Sequence, residues 1–188
     1  MGINVFLGYS APVFPRQVRF VARMTDELRE RGFEPRTVGV TDFNGHAPLK
    51  VIRRVLLESN GLIVIAFRRT KIVNGVAYEI GTGVAPKSTP LAGEWTTSPY
   101  CHVEPVLAGQ LGLPVILLRE ADVICDGVLR AGVLGGEVHT FDLRRPLDAF
   151  FSSETWTTAA RDWDYDVRTL VDAKGTPPAL YRRRATPR

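Results

Sequence analysis

The sequence predicts a single three-layer α/β domain in which a parallel sheet of about five strands is covered by helices on both faces. Two observations support this fold class. Short apolar runs alternate with amphipathic helical patterns of about ten to fifteen residues, as in sheets whose parallel strands are joined by helices. The chain of 188 residues is also long enough to bury one sizeable core.

Three strand patterns and two helix patterns alternate at the start of the chain. Apolar runs at residues 3–7, 33–40 and 62–67 predict the strands. Between them, apolar side chains recur at helical spacing and predict one buried face for each helix: Val18, Val21, Met24 and Leu28 in the first, and Leu49, Ile52, Val55 and Leu56 in the second. The order strand–helix–strand–helix–strand favours parallel pairing.

A third helix and, at residues 114–118, a fourth strand are predicted next. Ser98 and Pro99 are typical of a helix start. Pro105 removes one helical hydrogen bond, so regular helix is expected to begin either near Ser98 or only around Glu104. The apolar stripe of this helix is predicted to comprise Val103, Val106, Leu107 and Leu111.

Glu104 is the candidate functional residue of this stretch. It is predicted to lie at the edge of the apolar stripe, at or near a helix N-terminus that follows a loop. In open α/β sheets such positions tend to face the ligand crevice. The alternative interpretation is a solvated glutamate that interacts with the helix dipole.

The segment at residues 68–94 has no clear period and contains several glycines and prolines. It predicts a functional or mobile loop that holds a small hairpin around Asn74-Gly75. Residues 137–143 predict a fifth strand at an edge of the sheet. The domain is therefore expected to span residues 1–150, and a basic tail at 175–188 is expected to be disordered.

A C-terminal helix is predicted at residues 151–174, packed on the domain or on a partner. Ser152 or Ser153 is its expected cap. Its apolar face is predicted to comprise Trp156, Ala160, Trp163, Val167 and Leu170. Because this face follows a sheet that is already complete, we expect it to form a self-association surface and the protein to be a homo-oligomer.

Composition disfavours several classes of protein. The net charge of +4 comes largely from arginines near the C-terminus, so nucleic-acid binding is not expected. No stretch approaches the ~20 apolar residues that span a bilayer, and the N-terminus lacks the basic region of a signal peptide. Cys101 and Cys125 are too few for a disulfide framework and suit a reducing cytoplasm. His46 and His139 have no partners at metal-ligand spacing, so no metal is predicted.

The stretch Ser98-x-Tyr100-Cys101-x-x-Glu104 resembles the S-x-W-C-x-x-E signature of TIR domains, with tyrosine in place of tryptophan. Residues 5–10 resemble the strand that enters the first TIR loop. The same region is similar to nucleoside 2-deoxyribosyltransferases, whose pattern E-x-G-Y-A-x-A-x-G-K-P is partly matched by Glu104, Ala108, Gly112 and Pro114. The resemblance covers roughly the first two thirds of the chain and implies a flavodoxin-like, TIR-like sheet.

The resemblance implies the breaking of an N-glycosidic bond. A TIR-like enzyme would cleave the nicotinamide–ribose bond of NAD to ADP-ribose or to a cyclic or transferred product, with Glu104 as the catalytic carboxylate and no cofactor besides NAD as substrate. A fixed carboxylate suits this chemistry because the anomeric carbon develops oxocarbenium character. Two alternatives stay open: an N-glycosidase or transferase like the nucleoside 2-deoxyribosyltransferases, and a non-catalytic TIR-like nucleotide-binding module in signalling. TIR-like sites are often completed by a neighbouring subunit, which adds to the expectation of a homo-oligomer.

The other candidate substrate-binding residues lie at the ends of predicted strands or in the motif. Backbone N–H groups after the first strand can meet a phosphate or ribose, arginines after the third can pair with a pyrophosphate, and aromatic rings near the motif can stack on a base. In that order they are Gly8, Tyr9 and Ser10, then Arg68 and Arg69, then Trp95, Tyr100 and the adjacent Ser98. Ordinary packing is the alternative for each ring and a solvated surface position for each arginine. Asp42 is expected to form a turn and His102 to lie at the surface.

Overall fold

The structure, a computed structural model, describes residues 2–42, 47–79, 87–134 and 136–173. A turn of 3-10 helix at Gly127–Leu129 precedes the last strand. The other helices and strands, in chain order, are β1 (Ile3–Tyr9), α1 (Pro15–Glu30), β2 (Phe33–Arg36), α2 (Pro48–Leu57), β3 (Leu62–Ala66), β4 (Thr70–Lys71), β5 (Val76–Glu79), β6 (Lys87–Pro90), β7 (Trp95–Thr96), α3 (Tyr100–Gln110), β8 (Val115–Glu120), β9 (Val138–Phe141), α4 (Leu147–Phe151) and α5 (Glu154–Ala173).

Five strands form the central sheet of the described residues, in the order β2-β1-β3-β8-β9. Every neighbouring pair is parallel, so each connection crosses over the sheet before the next strand begins. All residues of the central strand β3 are buried, because both faces of that strand meet a helix layer. The predicted fold class is thereby confirmed, and β9 lies at the edge that the sequence predicts for the last strand.

Helices cover both faces of the sheet and build two hydrophobic clusters. On one face α1, α4 and α5 pack against strand positions such as Val5 and Ile65. On the other face α2 and α3 pack against intervening positions such as Phe6. This alternation follows from the two-residue period of a strand. Gly8 and Tyr9, which are neighbours in β1, therefore face different helix layers.

The buried faces of the first two helices differ slightly from the predicted ones. In α1, Val18 is 56% exposed, and Gln17 takes the buried position near Phe20. In α2, Leu49 is exposed and Val51 is buried in its place. Neighbouring helix positions are about 100° apart, so a pattern of spacing alone leaves a choice between adjacent residues at the margin of the face.

The second strand is shorter than the predicted run, because the chain turns back directly after Arg36. The carbonyl oxygen of Thr37 accepts the amide N–H of Asp42 at 3.1 Å. The buried Asp42 carboxylate forms ion pairs with Arg36 and Arg54. Burial acts to raise the pKa of Asp42, but hydrogen bonds from Arg36 and Thr41 and the nearby arginine charges hold it below its ordinary value. Asp42 therefore closes a turn, as predicted.

The long connection between β3 and α3 contains two small antiparallel pairs. β4 pairs with β7, and β5 pairs with β6 as a hairpin. The predicted hairpin turn at Asn74-Gly75 is wrong: these residues precede β5, where Gly75 accepts the N–H of Leu91 through its carbonyl oxygen at 2.9 Å. The connection between β5 and β6 lies outside the described residues.

The apolar face of α5 packs on the sheet of its own chain. Trp156 and Trp163 are almost fully buried in the cluster that also holds α1, and the Trp163 indole N–H donates to the Pro114 carbonyl at 3.1 Å. Close packing leaves no room at Gly61, where a Cβ would lie 2.6 Å from Val167. This corrects the expectation that the face is a self-association surface. The Ser153 hydroxyl accepts the Trp156 N–H at 3.2 Å, as expected of a cap.

The predicted tail at 175–188 lies outside the described residues. Within the described ranges, no helix combines the length and apolar character that crossing a bilayer requires.

Candidate functional site

Glu104 lies on the buried side of α3. The helix begins at Tyr100 and contains Pro105 in its interior, so the alternative that regular helix starts only at Glu104 is wrong. Glu104 is 6% exposed, whereas Val106 of the predicted stripe is 42% exposed. The side of the helix that packs inward comprises Cys101, Glu104, Pro105 and Ala108. A carboxylate therefore occupies the middle of the buried face rather than its edge.

The Glu104 carboxyl group is packed directly against the backbone of Gly8 in β1. A Cβ placed on Gly8 would lie 2.1 Å from Oε2 and 3.1 Å from Cδ of Glu104. Real Cβ atoms do not approach other atoms so closely, so only glycine leaves room for this carboxyl position. The structure thus brings together two predicted site residues. Gly8 lies within strand β1, and its lack of a side chain makes room for the Glu104 carboxyl group.

One oxygen of the carboxyl group has no compensation for its burial within the described residues. This oxygen, Oε2, is buried and has no hydrogen-bond partner there. Burial raises the pKa of Glu104 to about 8, so the free protein holds this group mostly protonated at pH 7. A buried polar atom without a partner weakens folding. Such uncompensated groups are concentrated at functional sites, which makes Glu104 the centre of the candidate site.

Hydroxyl and thiol groups surround the start of α3. The Thr97 hydroxyl donates to the Cys101 sulfur at 3.6 Å, and the Cys101 thiol lies 3.8 Å from the Ile65 carbonyl oxygen. Burial raises the pKa of the Cys101 thiol to about 12, so the thiol is neutral and is not a nucleophile at neutral pH. Ser98 is buried, and its hydroxyl accepts the Tyr100 amide N–H at 3.4 Å. Tyr100 is 40% exposed.

The residues after Gly8 do not form the open amide cradle that the sequence predicts. Tyr9 belongs to β1 and packs on the opposite face of the sheet from Glu104. The Ser10 N–H donates to the Ile65 carbonyl at 3.3 Å, and its hydroxyl donates to the Phe67 carbonyl at 3.3 Å. Ser10 is fully buried. Strand β1 extends to Tyr9, beyond the apolar run at residues 3–7. The backbone N–H of Ser10 is therefore hydrogen-bonded within the protein.

Two residues that sequence reasoning missed connect the segments that follow β1 and β3 to the end of β8. Gln17 and Glu120 are both buried, and the Gln17 amide donates to Glu120 at 2.8 Å. Through its oxygen, Gln17 accepts the N–H groups of Val13 and Phe14 at 2.8 and 3.1 Å. Gln17 could have been found from the sequence, because it is a polar residue on the apolar side of the first predicted helix. Nothing in the local pattern singles out Glu120.

Arg68 is held by the same network. Glu120 accepts the Arg68 backbone N–H at 2.9 Å and its Nε–H at 2.7 Å, and Asp122 lies 3.5 Å from the guanidinium. The guanidinium also lies 5.6 Å from the ring centre of Trp95 and 6.0 Å from that of Phe14. The structure therefore brings Arg68 and Trp95 together, a contact that the sequence did not predict. Within the structure, the Arg68 guanidinium is already engaged by Glu120, by Asp122 and by the Trp95 ring.

The remaining candidates lie at or near the surface. Arg69 is exposed, and its backbone N–H donates to the Thr96 carbonyl at 2.9 Å. His102 is partly exposed, and its Nε2 atom lies 3.8 Å from Asp126. In the part of the chain that the structure describes, no group of three or more His, Cys, Asp and Glu side chains is placed to hold a metal ion. His46 lies outside the described residues.

Comparison with known proteins gives matches at the level of structure. No family model and no curated protein sequence matches the chain. One matching solved structure is the CMP N-glycosidase BcmB of Clostridium botulinum, at 17% identity and a TM-score of 0.45, covering 78% of this chain and 96% of that one. Another is the TIR domains of the activated Roq1 resistosome that recognises the effector XopQ, at 12% identity and a TM-score of 0.39, covering 95% of this chain and 89% of that one. Both matches are similarities of fold.

Proposed function

We propose that this protein cleaves the N-glycosidic bond of a nucleotide, with Glu104 as the catalytic carboxylate and NAD as the substrate. The observation that carries the proposal is the Oε2 atom of Glu104, which is buried against Gly8 and has no hydrogen-bond partner among the described residues. A buried polar atom without a hydrogen bond weakens the fold, so a functional role would explain its presence. Glu104 belongs to the motif that resembles the TIR signature, and it approaches the second half of β1, the end at which open α/β sheets bind ligands.

The chemistry requires a negative charge beside the anomeric carbon. When the bond between C1′ of the ribose and the nicotinamide nitrogen breaks, the bonding electron pair goes to the nitrogen and neutralises the pyridinium ring. C1′ develops positive oxocarbenium character, which the Glu104 carboxylate stabilises or attacks. The oxygen of water or of an acceptor hydroxyl, or a nitrogen of the adenine, then bonds to C1′, and the proton that the attacking group loses passes to solvent. These acceptors give hydrolysis, transfer and cyclisation respectively. Where Glu104 has attacked C1′, the same step breaks its bond to that carbon.

Cleavage of NAD and cleavage of a nucleoside or a nucleoside monophosphate require different protonation states of Glu104. NAD brings a cationic pyridinium ring, which favours the ionised carboxylate in the complex. The leaving nicotinamide is neutral and needs no proton. If NAD is the substrate, kcat/KM therefore rises with pH until Glu104 in the free protein is ionised, near pH 8.

The raised pKa favours a second candidate function, the cleavage of a neutral nucleoside or a nucleoside monophosphate. The base of such a substrate leaves as an anion unless it is protonated. A carboxyl group that stays protonated at pH 7 can supply this proton as a general acid. In that case kcat/KM falls as pH rises through 8. Hydrolysis and transfer of deoxyribose between bases are both compatible with this role.

The test is incubation of the protein with NAD, with CMP and with 2′-deoxynucleosides, followed by mass analysis of the products. Glu104→Gln keeps the shape of the side chain and removes its charge, and Glu30→Gln, at an exposed position of α1, is the matched control. We expect product from one substrate class with the wild type and the control, and almost none with Glu104→Gln. Full activity of Glu104→Gln would remove the catalytic role. Nucleotide binding without any product would favour the non-catalytic signalling module.

A further inference from the structure

A small pocket lies between the first turns of α1 and the loop that joins β9 to α4. Its volume is about 290 Å³, enough for a phosphate or pyrophosphate group and at the lower limit for a whole small molecule. The lining combines four arginines with a short apolar floor: Arg16, Arg19, Arg144 and Arg145, with Leu143, Pro146 and Leu147. None of these arginines was singled out by the sequence.

The fold places the arginines in two pairs that face each other. Arg16 and Arg19 are three residues apart in α1 and so lie on one side of the helix. Arg144 and Arg145 follow β9, where the Arg145 N–H donates to the Asp142 carbonyl at 3.1 Å. The Arg16 guanidinium donates to the Leu143 carbonyl oxygen and so joins the two segments.

The positive charge of the pocket is only partly neutralised. Arg144 is paired with Asp142 at 2.8 Å and with Asp122 at 3.3 Å. Across the described ranges, Arg16, Arg19 and Arg145 form no ion pair within 4.0 Å. Three cations around one small cavity repel one another, and an anion would relieve this repulsion.

We propose that this pocket binds the phosphate group of a small molecule. Guanidinium groups donate paired hydrogen bonds to phosphate oxygens, and several of them can surround one phosphate. The pocket also lies at the N-terminal end of α1, where the helix dipole adds to the attraction for an anion.

One carboxylate joins the pocket to the network that holds Arg68. Asp122 contacts Arg144 of the pocket at 3.3 Å and Arg68 of the Gln17–Glu120 network at 3.5 Å. Two sources of the phosphate are to be distinguished, the substrate of the proposed Glu104 site and a separate phosphate-bearing ligand. Binding of phosphate does not depend on the proposed function, whereas its assignment to the substrate rests on it.

The first experiment measures pyrophosphate binding by calorimetry at low ionic strength. The double variant Arg19→Gln/Arg145→Gln removes two charges and breaks no side-chain hydrogen bond of the described residues. Arg29→Gln/Arg130→Gln removes the same charge at exposed positions that do not line the pocket. We expect the first variant to weaken binding at least about tenfold and the control less than about twofold. Equal weakening by both, or no binding to the wild type, would overturn the proposal.

The second experiment identifies the source of the phosphate by comparing NAD with nicotinamide riboside, which has the same scissile bond and no phosphate. If the pocket serves the substrate, Arg19→Gln/Arg145→Gln raises KM for NAD at least about tenfold more than KM for the riboside. Equal KM changes together with lost pyrophosphate binding assign the pocket to a separate ligand. If neither compound is cleaved by the wild type, the proposed function fails, and the pyrophosphate titration still decides on the pocket.

Discussion

Replacing Gly8 by alanine is the sharpest perturbation of the candidate site, because it moves the Glu104 carboxyl group without changing its chemistry. The new Cβ would lie 2.1 Å from Oε2, whereas ordinary contact begins at 3.4 Å, so the oxygen must retreat by about 1.3 Å (3.4 − 2.1). A misplacement of about 1 Å can cost about 10²-fold in rate. Gly8 lies within β1 and its φ is not positive, so the strand itself accepts alanine.

The assay compares initial rates of N-glycosidic cleavage for the wild type, Gly8→Ala and a control, each checked by circular dichroism. Gly109→Ala is the control, because it adds a methyl group to the helix that carries Glu104 and meets only Leu134 at an ordinary 3.8 Å. We expect kcat to fall about 10²-fold in Gly8→Ala and to stay unchanged in Gly109→Ala. A folded Gly8→Ala protein with wild-type kcat would refute the claim that the packing against Gly8 positions the carboxyl group.

Four further predictions concern Glu104, Glu120 and Trp163. Glu104→Gln is expected to lower kcat/KM by about 10² to 10³-fold, measured on whichever substrate the wild type cleaves. It should also raise Tm at pH 8.5 and not at pH 4.5. The reason is that the folded-state pKa of about 8 lies above the ordinary value of about 4.3, so the wild type loses stability as pH rises between the two; equal Tm shifts at both pH values would contradict the raised pKa. Glu120→Gln should lower the free energy of unfolding in urea by about 2–3 kcal/mol, because Gln17 and Arg68 lose a charged acceptor, and a change below about 0.5 kcal/mol would speak against the network. Trp163→Glu should destabilise the protein by about 3–5 kcal/mol, and a folded species of smaller size in sedimentation would instead restore α5 as an interface between copies.

Local pattern was sufficient for the elements whose signal repeats along the chain. The apolar run at residues 62–67 has no polar interruption and becomes the central strand β3. The spacing of Trp156, Ala160, Trp163 and Val167 correctly predicts the buried face of α5. The hydrophobic pattern predicted the buried face of a helix less accurately where a polar residue lies on that face, as at Gln17 in α1 and Glu104 in α3. The spacing of apolar residues contains no information on what a polar side chain contacts inside the protein.

The sequence by itself determined the order of the five sheet strands and of the helices α1, α2, α3 and α5, and the class of the sheet, since these depend on residues close together in the chain. The short motif that ends at Glu104 also made that residue the candidate. The tertiary structure alone decided that Glu104 packs on Gly8, that Gln17 bonds Glu120 across 103 residues of sequence, and that arginines from α1 and from the loop after β9 line one pocket. It also decided that α5 covers its own sheet. The physical reason is that burial, and with it the raised pKa of Glu104, is created by atoms from distant segments. A run of neighbouring residues does not specify which distant segment it will meet.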